Sequence, residues 1–126
     1  MTDFRNFLAG WALLSAIAPQ AAIASASEWD ANEHVKVRIV SAVEGVGQQE
    51  TVPLGLQFQL KPGWKIYWRS PGDAGFPPDP AWDGSDNLSG AELSWPAPRR
   101  FSILGLETLG YKNEVVLPFT AKVTTP

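Results

Sequence analysis

Residues 54–69 read LGLQFQLKPGWKIYWR and decide the fold class. In the first half, leucines and a phenylalanine alternate with small or polar residues, which is the period-two pattern of a half-buried β-strand. The triplet KPG at residues 61–63 is typical of a tight turn, because proline fixes φ and glycine accepts a positive φ. The residues after it alternate again, with large apolar side chains on one side and Lys65 and Tyr67 on the other. The stretch therefore predicts two strands joined by a turn.

Similar patterns elsewhere predict further strands. One runs from Val35 to about Val43, a short candidate covers Ala91–Trp95, and the longest unbroken alternation covers Glu114–Val123. Ser70–Pro80 contains four prolines and two glycines, which leave too few backbone donors for a central strand, so it is predicted to be a loop. No amphipathic helical pattern follows residue 28. The chain is therefore predicted to be all-β, an immunoglobulin-like antiparallel β-sandwich, with a β-barrel as the alternative.

The composition excludes several classes of chemistry. A length of 126 residues fits one domain with or without a leader, and 44% hydrophobic against 18% charged residues predicts a folded core. A net charge of −3 with mixed signs gives no basic surface for nucleic acid. With no cysteine, the chain cannot form thiol nucleophiles or thiolate zinc sites, and His34 is the one histidine that could serve in a Ser-His-Asp triad. We expect no metal, no cofactor and no catalytic residue within it.

The N-terminus has the pattern of a secretory signal peptide. Residues 7–18 read FLAGWALLSAIA, an apolar run that is too short to span a bilayer and that follows Arg5. Small residues then predict cleavage before Ser25 or Ser27. We expect a signal peptide over residues 1–26 and an exported domain over residues 27–126. An N-terminal core helix is the alternative.

The chain ends shortly after its strongest predicted strand, Glu114–Val123. A sandwich would be expected to turn at that point and to add at least one partner strand. We therefore expect the fold to be incomplete at its C-terminus, with one sheet edge lacking a neighbour.

Six tryptophans suggest carbohydrate binding, since flat aromatic faces stack on sugar rings. The alternation instead predicts that Trp64 and Trp68 pack in the core, while Trp82 and Trp95, beside aspartate and proline, are expected to be exposed. His34 is expected at the surface.

Four aspartates lie close together in the sequence, and hard cations such as calcium prefer carboxylate oxygens. They are Asp73, Asp79, Asp83 and Asp86. Their spacing fits no known calcium loop, and aspartate beside glycine, proline or serine is common in turns. We interpret them as turn residues.

Four motifs, in this order, resemble one family. They are LKPGWKIYWR at residues 60–69, PGDAG at 71–75, SWPAP at 94–98 and LGYKNEVVLP at 109–118. Together they are similar to the N-terminal periplasmic domain of DsbD-type thiol:disulfide interchange proteins, especially the larger variants linked to suppression of copper sensitivity. The resemblance covers roughly residues 35–123.

The resemblance implies a module of a protein-disulfide reductase with an immunoglobulin-like fold. Such a domain receives electrons from a membrane-embedded redox domain of the same protein and passes them to oxidised periplasmic thioredoxin-like proteins. A periplasmic location, a tether to the inner membrane in the full-length protein, and links to cytochrome c biogenesis and copper tolerance are implied as well. The family carries its redox cysteines on a hairpin that follows the strand matched here by residues 114–123. We therefore expect the pair beyond Pro126 and the domain over residues 27–126 to be partial.

The resemblance also implies two features of a site. A short cap loop shields the cysteine pair until a partner docks, and it is matched here by Ser102, Ile103 and Leu104, where short family members carry an aromatic residue at the top. A strand tyrosine close to the pair is matched by Tyr67, with Lys65 in place of a second aromatic residue. An apolar cap would exclude solvent and stray thiols from the sulfur atoms.

Two other functions remain open at this point. A non-catalytic periplasmic sandwich that binds glycans or a protein partner would fit the tryptophan count and the missing cysteines. Copper handling rests on the family alone, and one histidine, one methionine and no cysteine argue against a copper site in these residues.

Overall fold

A computed structural model describes residues 23–126, which fold into nine β-strands. These are β1 (Ser25–Ala26), β2 (Asp30–Ala31), β3 (Val35–Ser41), β4 (Thr51–Leu60), β5 (Lys65–Gly72), β6 (Leu88–Leu93), β7 (Arg99–Ile103), β8 (Leu106–Lys112) and β9 (Glu114–Val123). Over this range the structure contains no helix of the length and hydropathy needed to cross a bilayer. Most of the predicted signal peptide lies outside the described residues.

The strands form two antiparallel sheets. Sheet A has the order β1-β3-β4-β9-β6, with β2 also paired to β3, and sheet B has the order β5-β8-β7. The chain crosses from sheet A to sheet B between β4 and β5, returns to sheet A for β6, and crosses to sheet B again before β7. It returns to sheet A between β8 and β9 through Asn113, which adopts a φ of 65°. This arrangement confirms the predicted all-β, immunoglobulin-like antiparallel sandwich.

The turn predicted at residues 61–63 is confirmed, and it connects the two sheets. The Trp64 amide donates a hydrogen bond to the Lys61 carbonyl at 3.0 Å, and Gly63 adopts a φ of 85°. The strands on either side are therefore neighbours in sequence but belong to opposite layers of the sandwich.

The core lies between the sheets and is centred on β9. Leu117 has 0% exposure, Phe119 and Ala121 are buried beside it, and Tyr111 of β8 is the buried residue that sheet B contributes to the same cluster. The intervening β9 residues are exposed, as period-two alternation requires. Burial of each large apolar side chain of this kind contributes roughly 1.5–3 kcal/mol.

The strongest predicted strand, β9, has a neighbour on each side. This strand pairs with β4 along one edge and with β6 along the other, so it is central in sheet A. Its unbroken alternation reflects a buried inner face rather than a position at the edge of a sheet.

Other boundaries differ from the prediction. The predicted loop Ser70–Pro80 begins later, because β5 continues through Pro71 to Gly72 at the edge of sheet B, where a residue without an amide hydrogen is tolerated. The strand expected at Ala91–Trp95 is shifted to Leu88–Leu93. Strands β7 and β8 were not predicted, because neither has a clean alternation of apolar and polar residues.

Sheet B covers the inner face of sheet A unevenly. Leu117 and Phe119 of β9 are buried, whereas Val37 of β3 is half-buried and Ile39 is exposed. A cleft of about 410 Å³ lies against this part of sheet A, with Leu54 also in its wall. The β3 side of the sandwich is therefore only partly covered by the described residues.

Candidate functional site

The hairpin formed by β7 and β8 ends in a two-residue turn. Ile103 and Leu106 are the last paired residues, and Leu104 and Gly105 between them have φ values of 51° and 80°. Positive φ at both central residues is the signature of a type I′ turn, which favours asparagine, aspartate or glycine at the first central position. Leucine at this position costs conformational energy, because its Cβ is crowded in the left-handed region.

Leu104 is also 98% exposed. Leucine is thus unfavourable here on two counts, its strained backbone and its exposure to water, and asparagine or glycine would close the same turn without either cost. Ile103 and Leu106 beside it are exposed as well. The tip of this hairpin, residues 103–106, is therefore a small apolar knob whose conformation is held by the sheet behind it.

The structure places all three residues of the expected cap in this hairpin. Ser102 and Ile103 are the last residues of β7 and Leu104 is in the turn, so the segment expected to be a loop is mostly a strand end. A Leu-Gly pair between two short β segments is the sequence signal that could have identified the hairpin.

The knob is attached to the end of β5. The Asp73 amide donates to the Glu107 carbonyl at 3.0 Å, and the Glu107 amide donates to the Asp73 carboxylate at 2.9 Å. Gly72 precedes this reciprocal pair, and the Glu107 carbonyl oxygen occupies the position that a Cβ on Gly72 would need. Asp73 is the first residue of the proline-rich loop, residues 73–80, which follows β5. Its two hydrogen bonds to Glu107 therefore fix the start of β8 and with it the position of the knob.

Tyr67 lies on the outer face of sheet B, opposite Gly110 of β8. Gly75 adopts a φ of 92° and packs directly on the Tyr67 ring, so that any Cβ at Gly75 would overlap it. The ring is consequently half-buried under the proline-rich loop. Tyr67 and the knob lie on the same face of sheet B. Tyr67 of β5 is paired with Gly110 in the second half of β8, and the knob is at the start of β8.

Of the four tryptophans with a predicted position, Trp68 packs against the core as expected and the other three differ from the prediction. Trp64 lies in the turn before β5, is 48% exposed, and stacks on His34 with ring centroids 3.6 Å apart. Trp82 and Trp95, expected at the surface, pack against the core together with Trp68. Strand β5 begins at Lys65, so Trp64 belongs to the turn and its side chain does not follow the two-sided pattern of the strand.

The aspartates of the proline-rich region serve the fold in at least one case, since Asp73 accepts the hydrogen bond from Glu107. Within residues 23–126, no three histidine or acidic side chains lie close enough together to hold a metal ion. Asp83 and Asp86 lie in turns and Asp73 lies in a bend.

Burial shifts the acidity of one side chain. Desolvation raises the pKa of Tyr111 above its usual value of 10.0, and the nearby Arg69 charge acts in the opposite direction. The Tyr111 hydroxyl donates a hydrogen bond to the Pro96 carbonyl at 2.7 Å, which joins β8 to the segment that leads into β7. This tyrosine has a structural role, because its ring is in the core and its only polar group is satisfied.

Comparison with known proteins gives the family. The chain matches the family described as thiol:disulfide interchange protein DsbD, N-terminal, over residues 31–126. It is similar to the crystal structure of the N-terminal periplasmic domain of ScsB from Proteus mirabilis, with 35% sequence identity and a TM-score of 0.67. That similarity covers 82% of this chain and 41% of the other, so the chain spans less than half of that structure. No curated protein matches it. The chain belongs to the family of DsbD N-terminal domains of thiol:disulfide interchange proteins.

Proposed function

We propose that this chain is the scaffold and gate of a periplasmic protein-disulfide reductase whose redox cysteines lie outside these 126 residues. The observation that carries the proposal is Leu104, an exposed and strained leucine at the tip of a hairpin in a DsbD-type domain. In the proposed reaction, two thiols of the cysteine pair reduce a disulfide of a partner protein. The partner gains two thiols, the pair becomes a disulfide, and a membrane-embedded domain then reduces it again.

The strand order supports a place for the cysteine-bearing segment. In immunoglobulin-type sandwiches one sheet has the order A-B-E-D and the other contains C, F and G. The order β3-β4-β9-β6 corresponds to the first sheet and β5 to strand C, with the β7–β8 hairpin inserted before β9. Strands F and G would then pair with the edge of β5 that is free in the described residues.

The packing supports the same position. The inner side of β3 is only partly covered, and strands placed beside β5 would lie over it. The indole N–H of Trp68 on β5 is buried without an acceptor among the described residues. Buried donors are nearly always paired in complete folds, so an additional segment at this edge would supply both cover and an acceptor.

Leu104 then acts as the cap residue, together with Ser102 and Ile103. Burial of a leucine side chain contributes roughly 1.5–3 kcal/mol, enough to offset the strain of its backbone once a sulfur-bearing hairpin lies beneath it. A docking partner would offer a competing apolar surface, so the cap could be displaced at little cost. Tyr67 would contribute a fixed aromatic wall, because Gly75 holds its ring in place.

The proposed compartment and partners follow from the family. The similar domain of ScsB is described as periplasmic, and the N-terminal sequence pattern favours export through a signal peptide over residues 1–26. The proposed partners are a membrane-embedded redox domain of the same protein, which tethers it to the inner membrane, and oxidised thioredoxin-like proteins. The identity of the reduced partner would decide whether the protein contributes to cytochrome c biogenesis or to copper tolerance.

The gene sequence and a thiol assay test the proposal together. We expect a closely spaced cysteine pair within roughly 30 residues after residue 126, enough for two further strands and their connections. In the full-length protein, Leu104→Asn should speed alkylation of the reduced pair, whereas Val116→Thr, a change at an exposed apolar residue on sheet A, should not. The absence of a cysteine pair, or equal alkylation rates in both variants, would contradict the reductase function.

Glycan binding is the second candidate, favoured by the exposed Trp64 ring stacked on His34. A rigid, solvent-exposed indole is suited to stacking on a sugar ring. Titration of the chain with oligosaccharides should then change the tryptophan fluorescence, and Trp64→Ala should remove the change. The reductase proposal predicts no response to sugars.

A further inference from the structure

Five exposed large apolar side chains lie on sheet B or on the segments next to it, namely Trp64, Phe76, Ile103, Leu104 and Leu106. The other four among the described residues, Ile23, Ile39, Val43 and Val116, lie outside sheet B. Phe76 follows Gly75, which lies on the Tyr67 ring, so it belongs to the same face of the molecule. Clustered apolar exposure of this kind marks interaction surfaces more often than isolated apolar residues do.

A groove of about 290 Å³ crosses the outer face of sheet B within this region. Its walls include Trp64, Phe101 and Ile103 on the apolar side and Lys65 and Lys112 on the basic side. The Lys65 ammonium lies 4.7 Å from the centre of the Phe101 ring and 5.6 Å from that of Tyr67. It is also 3.5 Å from the Thr108 hydroxyl. The charge of Lys65 is therefore held over aromatic rings at the floor of the groove.

The two lysines are an unfavourable pair for the isolated domain. Lys65 and Lys112 face each other directly across β5 and β8, and like charges at such positions are destabilising. None of the described residues that line the groove carries a carboxylate. Over residues 23–126, the ion pair within 4.0 Å joins Arg100 to Glu107 and involves neither lysine. A basic groove on a chain with a net charge of −3 is complementary to an acidic ligand.

We propose that this groove docks an acidic segment of the redox partner, with an apolar side chain entering between Trp64 and Phe101 and carboxylates placed at Lys65 and Lys112. That the occupant is a redox partner rests on the proposed function, whereas its acidic and apolar character follows from the residues that line the groove. A peptide segment fits better than a small anion, because the apolar wall continues into the exposed residues of the hairpin knob. The groove thus extends the contact surface of the cap to a partner that carries negative charge.

A fluorescein-labelled peptide of alternating glutamate and leucine tests the proposal by anisotropy titration of the chain at low salt. We expect saturable binding that weakens in 0.5 M NaCl, and no binding of the same peptide with lysine in place of glutamate. Lys112→Glu should weaken binding about tenfold or more, because it replaces attraction by repulsion at an exposed position. Lys122→Glu is the matched control, an exposed lysine of β9 in sheet A, and should change affinity less than twofold.

Circular dichroism of both variants establishes that they fold alike. Equal affinities of Lys112→Glu and Lys122→Glu, equal binding of the two peptides, or binding of neutral oligosaccharides in place of the acidic peptide would overturn the proposal. Self-association of the chain that competes with the peptide would show that a second copy occupies the groove, and this too would overturn it. Peptide binding requires no sulfur atom, so a gene without a cysteine pair would remove the reductase function and leave the docking result standing.

Discussion

Strand β9 and the β7–β8 hairpin show two different uses of apolar side chains in one small domain. In β9 the buried residues Leu117, Phe119 and Ala121 occupy every second position, and Leu117 is fully buried between neighbours on both edges. At the tip of the hairpin the apolar residues are exposed, and the backbone of Leu104 is strained. The first arrangement stabilises the fold, and the second is unfavourable until something else covers it.

This difference separates the scaffold from the proposed site. Within residues 23–126, sheet A has paired central strands and a buried inner face around β9, whereas sheet B has three strands, a β5 edge without a neighbour and a basic groove with apolar walls. Substitutions in sheet A should therefore change stability, and substitutions at the hairpin should change interactions. The following experiments test that separation in order of expected effect on stability.

The largest effect is expected at the centre of sheet A. Leu117→Ala should lower the free energy of unfolding by about 2–5 kcal/mol, because it leaves a cavity in the most buried part of the core. Val116→Ala, at the exposed neighbouring position, should cost less than about 1 kcal/mol. Urea denaturation of both variants measures the difference, and similar losses would show that β9 is not the centre of the core.

The second effect concerns the loop that covers Tyr67. Gly75→Ala should destabilise the domain by about 1–3 kcal/mol, because the added methyl group overlaps the Tyr67 ring and the backbone has a positive φ. Gly84→Ala isolates the backbone contribution, since Gly84 has a φ of 79° but open space around it. A smaller loss at Gly75 than at Gly84 would contradict the packing described for the loop.

Tyr111 should give an intermediate effect that depends on pH. Tyr111→Phe removes the hydrogen bond to Pro96 and should cost about 1 kcal/mol at neutral pH. Burial raises the folded-state pKa above the usual 10.0, so the folded protein holds this proton more tightly than the unfolded chain. Stability from this group is complete below the usual pKa and is lost as the pH rises through the raised value. Denaturation between pH 8 and 11 should show a steeper alkaline decline for the wild type than for Tyr111→Phe, and parallel declines would contradict this.

The smallest change in stability should be a gain. Leu104→Asn should stabilise the isolated domain by about 0.5–1 kcal/mol, because asparagine tolerates a positive φ and the leucine buries nothing there. Leu106→Asn, at an exposed position with a strand conformation, should give no gain. A measurable loss of stability in Leu104→Asn would show that Leu104 already packs against the domain and is not an unoccupied cap.

The sequence alone predicts the main strands of the scaffold but not the arrangement of the candidate site, and the reasons are physical. Period-two alternation identifies β4 and β9, because several side chains on one face of each strand are buried in the core. It fails at Trp64, which lies in a turn, and in β7 and β8, where several apolar residues are exposed. The resemblance predicts a cap at Ser102, Ile103 and Leu104, but the pairing of Lys65 with Lys112 requires the strand register, which no local pattern contains.

Hydrogen–deuterium exchange of β5 and β9 tests the central proposal most directly. According to this proposal, β9 is hydrogen-bonded on both edges in sheet A, whereas the free edge of β5 in sheet B pairs with a cysteine-bearing segment outside the described residues. In the chain described here, we expect strong protection along β9 and rapid exchange of the outward-facing amides of β5. In the proposed full-length protein with a cysteine pair, the same β5 amides should become protected. Protection of β5 equal to that of β9 in the shorter chain, or continued rapid exchange of β5 in the full-length protein, would contradict the account.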